Sequence, residues 1–258
     1  MNLEWRSRYD LAIEAAQQAG KLAFSYFEHA LEVERKSDDS PVTIADRSAE
    51  ERIRTLVSRF FPNDGFLGEE FGDQEGSSGY RWIIDPIDGT KSFIRHNPIW
   101  ATLIGLEYQG EQIGGVVYIP TFGQTFHALR GDGAYRDARR IRVSDISELS
   151  QSVMAYSSMG WFTRAGKAEV FHRLYSATAR QRGYGDFYGF VLVAQGSCDL
   201  MIEHGVHAWD VAATKVLVEE AGGRFTDWNG VPTIHTPDVL ASNGRLHETV
   251  LSYLQDAK

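Results

Sequence analysis

The sequence is poor in cysteine, in long apolar runs and in basic charge. One cysteine, Cys198, stands among 258 residues; no intrachain disulfide framework is possible, and a reduced, cytoplasmic setting is the simplest expectation. No apolar run approaches the ~18 residues that a transmembrane helix needs. The opening Met1-Asn2-Leu3-Glu4-Trp5-Arg6 lacks the basic segment and apolar stretch of a secretory signal. Lys and Arg number 26 against 35 Asp and Glu, a formal net charge of −9, so neither nucleic acid nor an anionic membrane is an expected partner. An anionic small molecule stays open, because a local cation reverses the sign of a site.

The rest is ordinary globular composition. Hydrophobic residues make up 43% and charged residues 24%, which argues for a packed core. Ala12, Ala15, Ala16, Ala19, Leu22, Ala23, Tyr26 and Phe27 fall on one helical face, and Ala45, Ala49, Ile53, Leu56, Val57 and Phe60 mark a second amphipathic helix. Short apolar runs between turns then follow, from Phe66-Leu67-Gly68 and Tyr80–Ile84 through Trp100–Tyr108, Ile113–Ile119, Gln124–Leu129 and Gly133–Arg136. Such close spacing predicts an antiparallel meander. Past Ser144 the pattern alternates: strands at Val153–Ser157, Cys198–Glu203 and Gly223–Asp227, and helices at Ala168–Ala179, Phe187–Gln195, Asp210–Ala221 and Arg245–Leu254. We therefore expect two halves, 1–143 and 144–258, with no internal repeat.

The chemistry concentrates in Trp82-Ile83-Ile84-Asp85-Pro86-Ile87-Asp88-Gly89-Thr90-Lys91-Ser92-Phe93. A buried strand is expected to end at Asp85, Pro86 to force a turn, and Gly89-Thr90 to open a helix. Two carboxylates on so tight a turn repel each other and raise a pKa unless a cation lies between them. Hard oxygen ligands select Mg²⁺, Mn²⁺ or Ca²⁺ over zinc, and amides at a helix start suit an anion. Cation and anion at one turn suggest metal-assisted phosphate chemistry. Turn chemistry alone also accounts for a lone Asp-Pro-x-Asp-Gly. Glu69, after Gly68, can add a third carboxylate, and Asp210 opens a helix where an Asp can simply cap.

Taken together and in order, these motifs resemble the inositol monophosphatase family of lithium-sensitive, Mg²⁺-dependent phosphatases. The resemblance rests on Asp85-Pro86-Ile87-Asp88-Gly89-Thr90, Gly68-Glu69-Glu70, Trp209-Asp210-Val211-Ala212-Ala213, Lys36, Ser40–Asp46 and Glu220-Ala221-Gly222-Gly223. It implies a mixed α/β, layered α-β-α-β-α sandwich. The N-terminal half would carry Glu69, Asp85 and Asp88; the C-terminal half would carry Asp210 and the specificity residues. By match to the family's motifs, Glu69, Asp85, Asp88, Asp210 and the Ile87 carbonyl would ligate two or three Mg²⁺. Thr90 and Glu69 would orient a metal-bound water for in-line attack, Asp46 would hold Thr90, Gly89 and Thr90 amides would meet the phosphate, and Lys36 would lie near the site. A homodimer is implied as well.

For the substrate, Asp88-Gly89-Thr90-Lys91-Ser92-Phe93 and Tyr184-Gly185-Asp186-Phe187-Tyr188-Gly189 resemble the histidinol-phosphate phosphatase branch. That ester carries an ammonium and an imidazole, which favour carboxylates and aromatic faces. Asp186, Tyr188 and Glu203 are the candidate contacts, with Arg182 a further candidate across a subunit boundary. Asp186 equally suits the N-cap of Phe187–Gln195. Inositol-1-phosphate, fructose-1,6-bisphosphate and 3′-phosphoadenosine 5′-phosphate are the alternative substrates. His204 and His207 lack His-Glu-x-x-His spacing and are expected in core or rim roles. Cys198 lacks a thiolate motif.

Overall fold

The computed structural model describes residues 2–27, 29, 34–35 and 41–255. Two long helices open the chain, α1 (Leu3–Phe27) and α2 (Ile44–Phe60), with a two-strand ribbon of β1 (Glu34–Arg35) and β2 (Pro41–Val42) between them. Eight strands follow: β3 (Gly65–Gly68), β4 (Gly72–Gln74), β5 (Tyr80–Asp88), β6 (Ala101–Tyr108), β7 (Glu111–Ile119), β8 (Gln124–Leu129), β9 (Gly133–Arg136) and β10 (Arg139–Arg140), with the one-turn helix α3 (Thr90–Phe93) after β5. They form one sheet in the order β10-β9-β8-β7-β6-β5-β3-β4. The meander expected from the short turns runs from β5 to β10; β3 departs from it by lying parallel to β5.

The remaining chain alternates: β11 (Val153–Tyr156), α4 (Met159–Arg164), α5 (Ala168–Ala177), β12 (Arg180–Arg182), α6 (Asp186–Ala194), β13 (Leu200–His204), α7 (Ala208–Glu220), β14 (Arg224–Thr226), β15 (Asp238–Ser242) and α8 (His247–Gln255). A second sheet has the order β12-β11-β13-β15-β14. The sequence pattern missed β15, whose Asp238-Val239-Leu240-Ala241-Ser242 lies in a stretch without periodic flanks, although it pairs with both β13 and β14.

Three apolar cores give the layers. One joins α1 and α2 to the outer face of the first sheet through Ala12, Ala15, Ala19, Ile53, Trp82 and Ile104. A second encloses α6 and α7 between the two sheets, and a third lies beyond the second sheet beneath α5 and α8. The arrangement is therefore the α-β-α-β-α sandwich. The buried strands read as continuous apolar runs because helices cover both faces. Likewise α7 is buried continuously from Val211 through Val218, as a helix in a central layer must be, and within that stretch only Thr214 and Lys215 are polar.

The close approach of α7 to β6 and β7 depends on glycine. A Cβ on Gly115 would lie 2.2 Å from the Ala213 carbonyl oxygen, and one on Gly105 2.6 Å from the Ala213-adjacent Ala212 Cβ. Because Ala213 offers backbone there, relief requires moving the helix whose start carries Asp210. Gly115→Ala is thus expected to cost about 1–3 kcal/mol as overpacking, read as a lowered midpoint in thermal denaturation; an unchanged midpoint would show that α7 is not held this tightly.

Candidate active site

Contrary to the sequence expectation, β5 does not stop at Asp85. It continues through Pro86 and Ile87 to Asp88, with a bulge: Asp85 pairs with Leu103 and Asp88 with Ala101, so three steps on β5 span two on β6. The bulge is where a strand tolerates proline, which has no N–H for the ladder. The Pro86 carbonyl is instead taken by the Thr102 hydroxyl at 2.8 Å. In a regular strand, residues three apart face opposite sides. The inserted residue cancels that reversal and brings both carboxylates to one end of the strand.

Both are buried, Asp85 at 2% exposure and Asp88 at 8%. Burial pushes the Asp85 carboxyl well above its ordinary range, and the charges of Glu69, Asp88 and Asp210 push it further. Asp88 is raised mainly by burial, then by Asp186 and Asp210. Asp85 and Glu69 lie side by side, and this closeness favours a proton on Asp85. Each aspartate has one oxygen fixed by a main-chain N–H: Asp85 by Ile87 at 3.1 Å, Asp88 by Phe187 at 2.7 Å and Asp210 by His207 at 2.8 Å.

Glu69 follows β3, and its neighbouring turn is braced from α2. Glu50, fully buried, accepts the Glu70 N–H at 2.8 Å and pairs with Arg54. Gly68 makes room for this, because a Cβ there would sit 1.8 Å from Glu50 Oε1. Asp46 is the third residue of α2 in a capping box with Thr43, whose N–H and hydroxyl both donate to Asp46 Oδ2. Its other oxygen accepts from Thr90 Oγ1 at 3.4 Å, while the same hydroxyl also reaches the Ile87 carbonyl at 3.0 Å. Burial raises the Asp46 carboxyl to about 6 despite the two Thr43 donors, with Glu69 adding to the rise.

Beside the carboxylates a cavity of about 170 Å³ is lined by Lys91, Ser157, Trp161, Asp186, Glu203, His204 and Asp210 among others. Asp186 does not cap α6. Gly185 holds the N-cap position, and Asp186 lies inside the first turn at φ 54, a left-handed conformation unusual for a residue with a side chain. This places its carboxylate near Gly89, where a Cβ would be 3.5 Å from Asp186 Oδ2. Burial raises its pKa and Asp210 adds to this, while Lys91 opposes them. Glu203 Oε1 accepts from Ser157 at 2.5 Å and from the His204 N–H at 3.1 Å. Its Oε2 is buried with no hydrogen-bond partner, and burial raises the carboxyl to about 7. His204 is held from behind by Asp238, which also binds Lys167.

No three His, Cys, Asp or Glu side chains among the described residues already form a closed ligating cage. The donor chemistry still fits a hard divalent cation: oxygen ligands only, mutually repelling, Asp85 and Asp88 buried, and each aspartate oriented by an amide.

A sequence profile of the inositol monophosphatase family matches residues 4–258. The chain belongs to that family. A histidinol-phosphatase of Streptomyces coelicolor is 43% identical over 233 residues, 87% of this chain and 87% of that one. A histidinol-phosphatase of Mycobacterium tuberculosis is 41% identical over 250 residues, 95% and 96% of the two chains. Among solved structures, the inositol monophosphatase from Anabaena (Nostoc) sp. PCC 7120 matches with a TM-score of 0.87 and 32% identity, covering 98% of this chain and 97% of that one. Extragenic suppressor protein suhB from Bartonella henselae matches at 0.91 and 31%, covering 98% and 100%.

The family fold brings Asp46, Glu69, Asp85, Ile87, Asp88, Gly89, Thr90, Asp186, Glu203 and Asp210 into one region. It does not bring Tyr188 or Arg182 to the cavity lining. Tyr188 packs edge-on against Phe122, Tyr184 and Phe187. Arg182 lies on the edge strand β12, exposed, with its guanidinium on the Gln181 carbonyl. Lys36 and Ser40 lie outside the described residues. Cys198 is buried, its thiol pushed up to about 11 by burial, as a non-catalytic cysteine should be. The rim role expected for His204 fits its place in the cavity lining; sequence reading did not anticipate Ser157 or Trp161, whose one available signal was an unexplained polar or aromatic residue at the end of an element.

The Glu203 carboxyl gives a signed expectation. Its folded value of about 7 exceeds the ordinary 4.5, so the protonated form stabilises the fold and that stability fades as pH rises from 4.5 through 7. In metal-free protein, Glu203→Gln is expected to melt higher than the parent at about pH 8 and close to it at about pH 5. A variant no more stable at the higher pH would contradict the buried-charge reading.

Proposed function

We propose that this protein is a Mg²⁺-dependent phosphomonoesterase that hydrolyses L-histidinol phosphate to L-histidinol and phosphate. The observation that carries the reaction class is the cluster of Glu69, Asp85, Asp88 and Asp210, in which the two buried members, Asp85 and Asp88, have their proton affinities raised by burial and by the charges of the other acids around them. With the Ile87 carbonyl, these residues would hold two or three Mg²⁺. Bound Mg²⁺ supplies positive charge that neutralises the phosphate and acidifies water at the site.

The chain's own groups do the rest. Amides of Gly89 and Thr90, at the start of α3, orient the phosphate. Thr90 Oγ1 stands between Ile87 O and Asp46 Oδ1, so its proton can pass to Asp46 while its oxygen accepts one from the attacking water. With a carboxyl at about 6, Asp46 is suited to hold that proton briefly near neutral pH. Glu69, beside Asp85, orients the same water.

Choice of substrate follows from the wall opposite the metal ligands. Asp186 and Glu203 are acidic, and the Glu203 Oε2 atom has no partner within the protein. An ammonium or imidazolium supplies donors for that atom; a neutral polyol does so without offsetting the charge. The names of relatives above 40% identity point the same way. We extend the reading to a cytoplasmic homodimer built of halves 1–143 and 144–258.

The test is phosphate release with Mg²⁺ across histidinol phosphate, inositol-1-phosphate, fructose-1,6-bisphosphate and 3′-phosphoadenosine 5′-phosphate. Histidinol phosphate should be preferred, and a strong preference for any other would overturn the substrate. Asp88→Asn or Asp210→Asn should reduce turnover by about 10³-fold or more while the fold persists; near-parental turnover in either would refute the metal site. Asp186→Ala should raise KM for histidinol phosphate about tenfold, and an unchanged KM would remove Asp186 from recognition.

A further inference from the structure

A second cleft, of about 490 Å³, lies between the β9–β10 hairpin and the C-terminal end of α6. It is lined by Arg136, Arg139, Arg140 and Arg142, with Gln195 and Ser197 at one side, and shares no lining residue with the cavity beside Asp210. The charge is anomalous in a chain of net −9. Arg136 and Arg139 are direct cross-strand partners, and like charges directly opposite each other destabilise a sheet pair.

Nothing among the described residues neutralises them. None of the four makes an ion pair; Arg136 donates to Gln195 Oε1 at 3.4 Å. The nearby acids are committed elsewhere: Asp137 to the Thr125 N–H, Asp132 to Arg6, and Glu220 to the N–H groups of Gly131 and Gly133. Arg130, Arg224 and Arg245 on the surface each pair with a carboxylate; arginines such as Arg52 and Arg182 do not, but the four here are gathered on one cleft.

We infer that this cleft is a second, non-catalytic site for a compact oligophosphate, a ligand with two or three linked phosphoryl groups. Guanidinium forks match phosphate oxygens in pairs, and several together match a multiply charged anion better than a single phosphate. The volume lies in the range of ~300–1,000 Å³ typical of small-molecule sites. A nucleic acid would need a basic track beyond the cleft, which a surface of acidic excess does not offer.

The test is calorimetric titration of inorganic triphosphate into metal-free protein at constant ionic strength, so that the catalytic carboxylates repel the probe. Parental protein should bind one triphosphate per chain, and the double variant Arg136→Gln, Arg139→Gln should bind at least about tenfold more weakly. The unliganded variant should melt no lower than the parent, because a repulsion has been removed, and its Mg²⁺-dependent phosphatase activity should be unchanged, which establishes its fold. Absence of binding to the parent, equal binding by the variant, or binding of a single-stranded oligonucleotide without triphosphate binding would each overturn the assignment.

Discussion

Carboxylates taken out of water repel one another and resist ionisation, and this protein sets two buried ones, Asp85 and Asp88, beside Glu69 and Asp210 where β3 and β5 end and α3 and α7 begin. Asp85 and Asp88 are nearly inaccessible, and the charges of Glu69 and Asp210 bear on both. With no cation among them, each of these carboxylates raises the proton affinity of the buried pair. The surrounding structure is arranged around this unfavourable concentration of charge. A bulge sets the two β5 aspartates on one side, an amide from α6 holds Asp88, and the first turn of α7 holds Asp210. Where a fold sustains that much repulsion, a cation is the natural complement.

The layering explains how the charges are kept in place. Residues that contribute to the site come from both sheets and from the helices between them, so no local segment could assemble it. α7 can present Asp210 beside β5 only because glycines at positions 105 and 115 let its backbone approach the first sheet. Glu50 plays a comparable part from the other side, filling the space above Gly68 and fixing the turn that carries Glu69. The apolar cores therefore do more than stabilise; they set the distances over which the carboxylates act on one another.

Much of this was legible in the sequence because the key residues are local. Asp85 to Thr90 sit within six positions, and the strand and the helix start read from Pro and Gly punctuation, although the bulge was taken for a turn that ended the strand at Asp85. The two long helices and the meander followed from periodicity. What could not be read was geometry between distant segments. Asp186 looked like a helix cap, but its left-handed backbone turns the carboxylate toward Gly89 instead. Tyr188 neighbours it in sequence yet points toward Phe122 and Tyr184. Ser157 and Glu203 are 46 residues apart and meet only because β11 and β13 are parallel neighbours. Net charge misled in the same way: an acidic total concealed one cleft of unpaired arginines.

The central claim is that the buried carboxylates retain protons until a divalent cation displaces them. Titrating Mg²⁺ into metal-free protein near pH 6.5, in two buffers of unlike ionisation enthalpy, counts those protons. The account predicts Mg²⁺ binding with net release of about one proton or more. Binding with no proton release, or no binding at all, would contradict it.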